Sequence, residues 1–205
     1  MIQVMVYRLE GLSPLLMNNA TAMESEDDSV KARTKKYDND EEARKRLYVL
    51  DTGQLYVSSS AIRASLLKGS TNQKVGKYAA KGLVACAVFC VELECPLVHP
   101  TTGKSIKDYV VNLATVVVNK ARIVRARPEI KKWALDVVFE VDDQYITPDQ
   151  VEFLLNRSGK MAGLLDNRPS APFKPGPYGR YTAKLTTGKA KEAKGKVVKV
   201  KRNKR

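Results

Sequence analysis

Four cations, Lys120, Arg122, Arg125 and Arg127, fall within eight positions of "NKARIVRARP". Arginine suits phosphate because its planar fork can bond two oxygens at once. In an ideal strand residues 120 and 122 face one way and 125 and 127 the other, so all four converge only if a bulge or turn intervenes near Ile123. A second set lies in "GLLDNRPSAPFKPGPYGRY", residues 163–181, with four prolines and three glycines. There Arg168, Lys174 and Arg180 supply charge, and Tyr178 offers a ring on which a base can stack for about 1–3 kcal/mol. Ser59, Ser60, Arg63 and Lys68 surround a serine-rich helix start whose free backbone N–H groups can take a phosphate, although a plain cap explains the same serines. Asn18 and Asn19 close "SPLLMNN"; they tolerate left-handed turns and offer hydrogen bonds, so this segment either seals the core or touches a ligand.

Catalytic chemistry is poorly supplied. The one histidine, His99, sits in a loop with Pro96 and Pro100, and no Ser/His/Asp or Cys/His set can be built without it. There is no phosphate-binding P-loop and no GxGxxG motif. Asp136, Asp142, Asp143 and Asp166 are the acids a metal-dependent nuclease could use, with Asp142 and Asp143 also readable as a turn. Cys86, Cys90 and Cys95 lie in an apolar run; with His99 they make a zinc spacing only on a loop, so buried thiols are expected. No cofactor, no metal and no catalytic residue is expected.

The elements that must carry these groups are legible in outline. "MIQVMVYRL" alternates Ile2, Val4 and Val6 against Gln3, Met5 and Tyr7, as a half-buried strand does. Residues 21–46 hold eight acids and seven bases and read as a mobile insertion, helical near 40–47. Leu55 and Val57 mark a short strand, a serine among Ser58–Ser60 caps a helix with the stripe Ile62, Leu66 and Leu67, and Gly69 is placed to stop it. "LVACAVFCVEL", residues 83–93, is apolar on both faces and suits a central strand. Residues 94–112 read as a loop, and Ala114–Val118 as a strand running into the basic stretch. "WALDVVFEV" turns Leu135, Val137, Phe139 and Val141 inward. "TPDQVEFLLNRSG" is a helix with a Thr147/Gln150 capping box, Pro148 at its first position, a stripe of Val151, Leu154 and Leu155, and Gly159 as its end. "GRYTAKL" returns as a last strand.

With two insertions set aside, at about 11–53 and 94–130, the order is βαββαβ, the ferredoxin-like, RRM-like arrangement of the α+β class. The expected organisation is one domain over 1–183 with a β-rich finger in the second insertion, then a basic tail over 184–205. The chain has 205 residues and a formal charge of +14. The tail holds ten of the 36 Lys and Arg but one of the 22 acids, a composition that cannot order itself yet attracts polyanions. It lacks the apolar face a bilayer requires, so nucleic acid is favoured over a membrane. Reduced thiols, no signal peptide and no apolar run of about 18 residues point to the cytoplasm.

Three segments, in this order and spacing, resemble the RAMP superfamily of CRISPR-associated proteins: "VYRLEGLSPLLMNN", "LYVSSSAIRASLLKG" and "GLLDNRPSAPFKPGPYGRY". The fit is to backbone subunits of effector complexes or to related proteins carried by phages. It implies single-stranded RNA, more than DNA, bound along an RRM-like sheet, and head-to-tail self-association or assembly with other effector subunits in a filamentous ribonucleoprotein of antiviral defence. The carry-over falls on Ser59, Ser60 and Arg63, and on Arg168, Tyr178, Gly179 and Arg180. The catalytic histidine of RNA-processing members is not matched, so a non-catalytic protein is implied. Two alternatives stand beside it: a structural or inhibitory phage protein that binds or imitates an effector complex, and a metal-dependent nuclease of the same superfamily.

Overall fold

The computed structural model describes residues 1–19, 38–118 and 121–186, without the side chains of 116–118 and 121–122. Lys120, most of the charged insertion and the tail from 187 onward lie outside the described residues. Along the chain run β1 (Ile2–Gly11), β2 (Leu15–Leu16), α1 (Asn39–Lys45), β3 (Tyr56–Ser58), α2 (Ser59–Gly69), β4 (Lys74–Val75), β5 (Tyr78–Ala79) and α3 (Ala80–Ala87). They are followed by β6 (Val88–Cys90), β7 (Glu94–Pro96), β8 (Val110–Val118), β9 (Ala121–Ile130), β10 (Ala134–Asp142), α4 (Pro148–Met161) and β11 (Tyr181–Leu185). The class is α+β, with four helices among the described residues and antiparallel pairing throughout the named strands.

The main sheet has the order β11-β1-β10-β6. Tyr7 pairs in register with Val137 and Leu9 with Leu135, so one face presents Tyr7, Leu9, Leu135, Val137, Phe139 and Val141, all buried. Helices α2 and α4 cover that face with Ile62, Leu66, Val151, Leu154 and Leu155. Each such side chain stabilises the fold by about 1.5–3 kcal/mol through removal from water. The inward set of β10 matches its period-two pattern. In β1 the large residues win the inside: Tyr7 is fully buried and donates its hydroxyl to the Pro148 carbonyl at 3.0 Å. Ile2 and Val4 are left 66% and 48% exposed, although their β-branching reads as the core face.

The capping box of α4 forms as its sequence dictates. Thr147 Oγ1 accepts from the Gln150 N–H at 3.3 Å, and Gln150 Oε1 accepts from the Thr147 N–H at 2.9 Å. Its glycine does a different job from the one the sequence suggests. The helix runs on to Met161, and a Cβ at position 159 would collide with the Tyr181 carbonyl. Gly69 is likewise the last helical residue rather than a stop, and a Cβ there would collide with Ser158. Both glycines exist for close approach: one brings α2 onto α4, the other α4 onto β11.

Residues 83–93 are not a central strand. Helix α3 takes Ala80–Ala87, burying Ala80, Val84 and Ala87 at helical spacing, and only Val88–Cys90 enters the sheet, at its edge. An apolar run without alternation does not distinguish a buried strand from a helix, and its alanines favour the helix. Part of the expected loop at 94–112 is also ordered, as β7 pairs with β3.

The second insertion folds as the β8–β9 hairpin, which joins β2 in a three-stranded sheet of order β2-β9-β8. Its register runs unbroken from Val110–Glu129 to Val118–Ala121. No bulge interrupts it near Ile123, so the condition for all four cations to converge is not met. Helix α1 packs against this hairpin through Glu42, whose Oε2 accepts from the Ala126 N–H at 2.8 Å. Glu42 Oε1 lies 3.1 Å from Arg46 and 3.3 Å from Arg125. The helical part of the charged insertion is therefore docked, with Ala43 and Arg46 buried.

Candidate functional site

A cleft of about 480 Å³ opens where three candidate segments meet. Asn18 and Tyr48 form one wall, Ala61, Ala64, Ser65 and Lys68 of α2 a second, and Gly163, Leu165, Asp166, Arg168 and Ser170 the third. Lys68 is exposed. Arg168 Nη1 donates to the Leu165 carbonyl at 2.6 Å, which fixes the guanidinium and leaves the rest of its five donors for a ligand. The wall's one acid, Asp166, has its Oδ2 2.6 Å from Arg127 Nη1. The contact is an ion pair without hydrogen-bond alignment, since Asp166 Oδ2 makes no hydrogen bond. With that carboxylate neutralised, the cleft is electropositive through Lys68 and Arg168.

The third wall is a shaped loop, not a linker. Its ends are clasped by the Leu164 N–H donating to the Gly179 carbonyl at 2.9 Å, and its middle by Gly176 N–H to the Arg168 carbonyl at 3.2 Å. It is tied to the first segment by Asp166 N–H to Leu16 O at 3.1 Å and Gly179 N–H to Pro14 O at 2.8 Å. Gly179 has φ +68°, and a Cβ there would collide with the Leu164 carbonyl, so no other residue fits. Leu165 and Asn167 hold left-handed backbone at φ +58° and +49°. For a leucine this costs about 1–2 kcal/mol, strain of the kind that collects at ligand-contacting loops.

Of the residues singled out from sequence, Asn18, Lys68, Asp166 and Arg168 meet at this cleft, Asp166 apart from the other candidate acids. Asn18 Oδ1 already accepts from Arg46 Nη1 at 2.5 Å, and Asn19 Nδ2 donates to Leu47 O at 3.0 Å. Both asparagines therefore also serve to close the core, above the fully buried Leu15 and Met17. The helix cap is Ser58, whose Oγ accepts from the Ala61 N–H; Ser59 is buried and Ser60 exposed. Arg63 turns away, donating to the carbonyls of Ala85, at 2.8 Å, and Val88, with its guanidinium 5.0 Å from the Phe89 ring centre. It clips α2 to α3. Arg125 and Arg127 are held by Glu42 and Asp166, while Lys120 and the Arg122 side chain fall outside the description. Tyr178 is half-buried and its hydroxyl accepts from Asn112 Nδ2 at 3.2 Å. Lys174 and Arg180 are exposed on the same loop.

The outer face of the main sheet has the wrong charge for phosphate. Among the described residues it shows Ile2, Val4 and Phe89 with Glu10 and Glu140 against one free-standing cation, Lys184, and its Arg8 is paired with Asp136 at 3.1 Å. Among the described residues no three His, Cys, Asp or Glu side chains come together to hold a metal. His99 Nδ1 accepts from the N–H groups of Thr101 and Thr102 at 3.3 and 3.4 Å, a turn-stabilising role. No described helix is long and apolar enough to cross a membrane.

Only one of the three thiols is buried. Cys86 is exposed, Cys90 half-buried and Cys95 buried, because residues 83–87 form a helix with an outward face. Burial pushes the Cys95 thiol up to about 12 from 9.0. A folded-state value above the unfolded one means that the stability held by this neutral thiol is complete below pH 9 and is lost as the pH rises toward 12. Alkylation followed by mass spectrometry at pH 8 is expected to modify Cys86 first and Cys95 only on unfolding. Equal rates for the two in native buffer would contradict the placement.

Compared with known proteins, the chain matches no family model, and no curated protein is significantly similar to it.

Tyr48 borders the cleft with its pKa raised, first by burial and then by Tyr56 and Asp166, so it stays a neutral hydroxyl near neutrality. It was not legible as a site residue in the sequence, because "RLYVLDTGQLYV" signals only a turn between short strands.

Proposed function

We propose that this protein is a non-catalytic binder of single-stranded nucleic acid, RNA more than DNA, that holds the strand by its phosphates at the cleft between α2 and the 163–180 loop. The observation that carries this reading is the convergence of Lys68 and Arg168, from segments 100 residues apart, on one cleft whose acid is neutralised. A ferredoxin-like βαββαβ core with RAMP-type insertions is part of the same reading. The order β11-β1-β10-β6, with α2 and α4 on one face, supports it. The strand would run along the cleft and loop edge, past Lys174 and Arg180, and not across the acidic and apolar outer sheet face. That face, on a chain of net charge +14, suits contact with the basic side of a second copy, which supports repeated subunits along one strand. The basic tail would add salt-sensitive affinity from one chain.

The test is equilibrium binding to RNA and DNA strands of about 30 and about six nucleotides across a salt series. Four phosphate contacts through Lys68, Arg168, Lys174 and Arg180 contribute about −3 to the slope of log affinity against log salt. The long strand is expected to bind more tightly, with more than one protein per strand. A flat salt response, or a hexamer bound as well as the long strand, would remove the reading.

A further inference from the structure

From position 52 to 91 the chain contains no Asp or Glu, while it carries Arg63, Lys68, Lys74, Lys77 and Lys81. Arg63 is committed to the carbonyls at the end of α3. The other four are exposed, and among the described residues none has a carboxylate within ion-pair distance. Lys68 lines the cleft. The remaining three surround a hairpin for which the cleft reading has no use.

That hairpin is short and rigidly mounted. Strand β4 pairs with β5, Lys74 opposite Ala79 and Val75 opposite Tyr78. Its root is tied to the end of α2 by Gln73 N–H to Ser70 O at 3.2 Å and closed by Ala80 N–H to Gln73 O at 2.9 Å. Val75 packs against the core. The tip turns at Gly76, with φ +58° and nothing within 4 Å of where a Cβ would lie, so the turn projects into open space. Tyr78 stands on this mount with 69% of its surface exposed. Tyr78 shares a face of the ribbon with its cross-strand partner Val75, yet most of its ring stays in water, with Lys77 beside it in the turn, Lys81 three residues on and Lys74 on the ribbon's other face. Stacking surface beside phosphate ligands is the combination that single-strand binders use.

We propose that the β4–β5 hairpin is a stacking knob for single-stranded nucleic acid: Tyr78 takes a base on its ring, and Lys74, Lys77 and Lys81 hold the flanking phosphates. The inference rests on the nucleic-acid reading of the cleft and extends the strand's path from Lys68, at the last turn of α2, onto the hairpin that follows. Because a ring stacks on any base, the knob adds affinity without sequence preference.

The experiment compares a uridine strand of about 30 nucleotides with one of the same length carrying abasic sites, using the full chain. Tyr78→Ala is expected to weaken binding of the uridine strand by about 5- to 150-fold, one stacked base's worth. It should leave the abasic strand unaffected, and Tyr78→Trp should restore the difference. Lys74→Gln/Lys77→Gln/Lys81→Gln should flatten the salt slope by about 2 for both strands. All four positions are exposed, so melting temperatures should match the parent's. Tyr78→Ala binding both strands as the parent does, or losing both equally, overturns the knob while the cleft stands. A parent protein that binds neither strand overturns both.

Discussion

Replacing Lys68 and Arg168 together by glutamate is expected to weaken binding of a long single strand by about 100-fold or more at low salt. Each charge-assisted hydrogen bond to phosphate contributes about 1.5–3 kcal/mol, so removing two and introducing like-charge repulsion exceeds 3 kcal/mol. The stability cost should be small, because Lys68 is exposed and Arg168 loses one bond, to the Leu165 carbonyl. The reading is specific to position. The same reversal at Lys174 and Arg180, on the loop edge, should cost less, and at Lys104 and Lys107, in a separate groove near His99, less again. Equal losses from all three pairs would mean that net charge, not the cleft, holds the strand.

Glu42→Ala is expected to be strongly damaging to folding, costing about 3–5 kcal/mol. This carboxylate meets Arg46, Arg125 and the Ala126 N–H at once, and Arg46 is only 6% exposed. Removing it takes this carboxylate from a buried guanidinium that also bonds Asn18, and unpins α1 from the β8–β9 hairpin. Against a typical total stability of about 5–15 kcal/mol, the loss is a large fraction. Urea unfolding of the single variants and of Glu42→Ala/Arg125→Ala should show strong coupling between the two residues. Additive, sub-kcal/mol effects would mean that the cluster is a solvated surface pair.

The sequence carried the parts of this protein that local rules dictate. The α4 capping box, the inward set of β10 and the helix following Val57 depend on neighbours within a few residues, and they stand in the structure as their spacing implies. The same local rules misread Leu83–Leu93, where an uninterrupted apolar run holds no period, and the glycines at 69 and 159. A close approach between two helices looks identical, in one dimension, to a helix stop.

The candidate site divides along the same line. Its chemistry was visible in the residue types: cations, a proline- and glycine-rich segment, and asparagines after a strand. Which cations remain available was not, because that depends on partners distant in sequence. Arg63 meets carbonyls more than 20 residues away, Arg125 meets a glutamate 83 positions back, and Arg127 meets Asp166. Tyr78 is not legible as a surface group, because exposure is not a property of sequence: only the hairpin's position leaves its ring in water. The sequence determined that the molecule is basic and that its loop from 163 to 181 is too stiff and too charged for a linker. Only the tertiary structure decided that Lys68 and Arg168 face one cleft and that most of the described arginines are spent holding the fold. Long-range ion pairs are chosen by folding, which brings together charges that the chain keeps far apart.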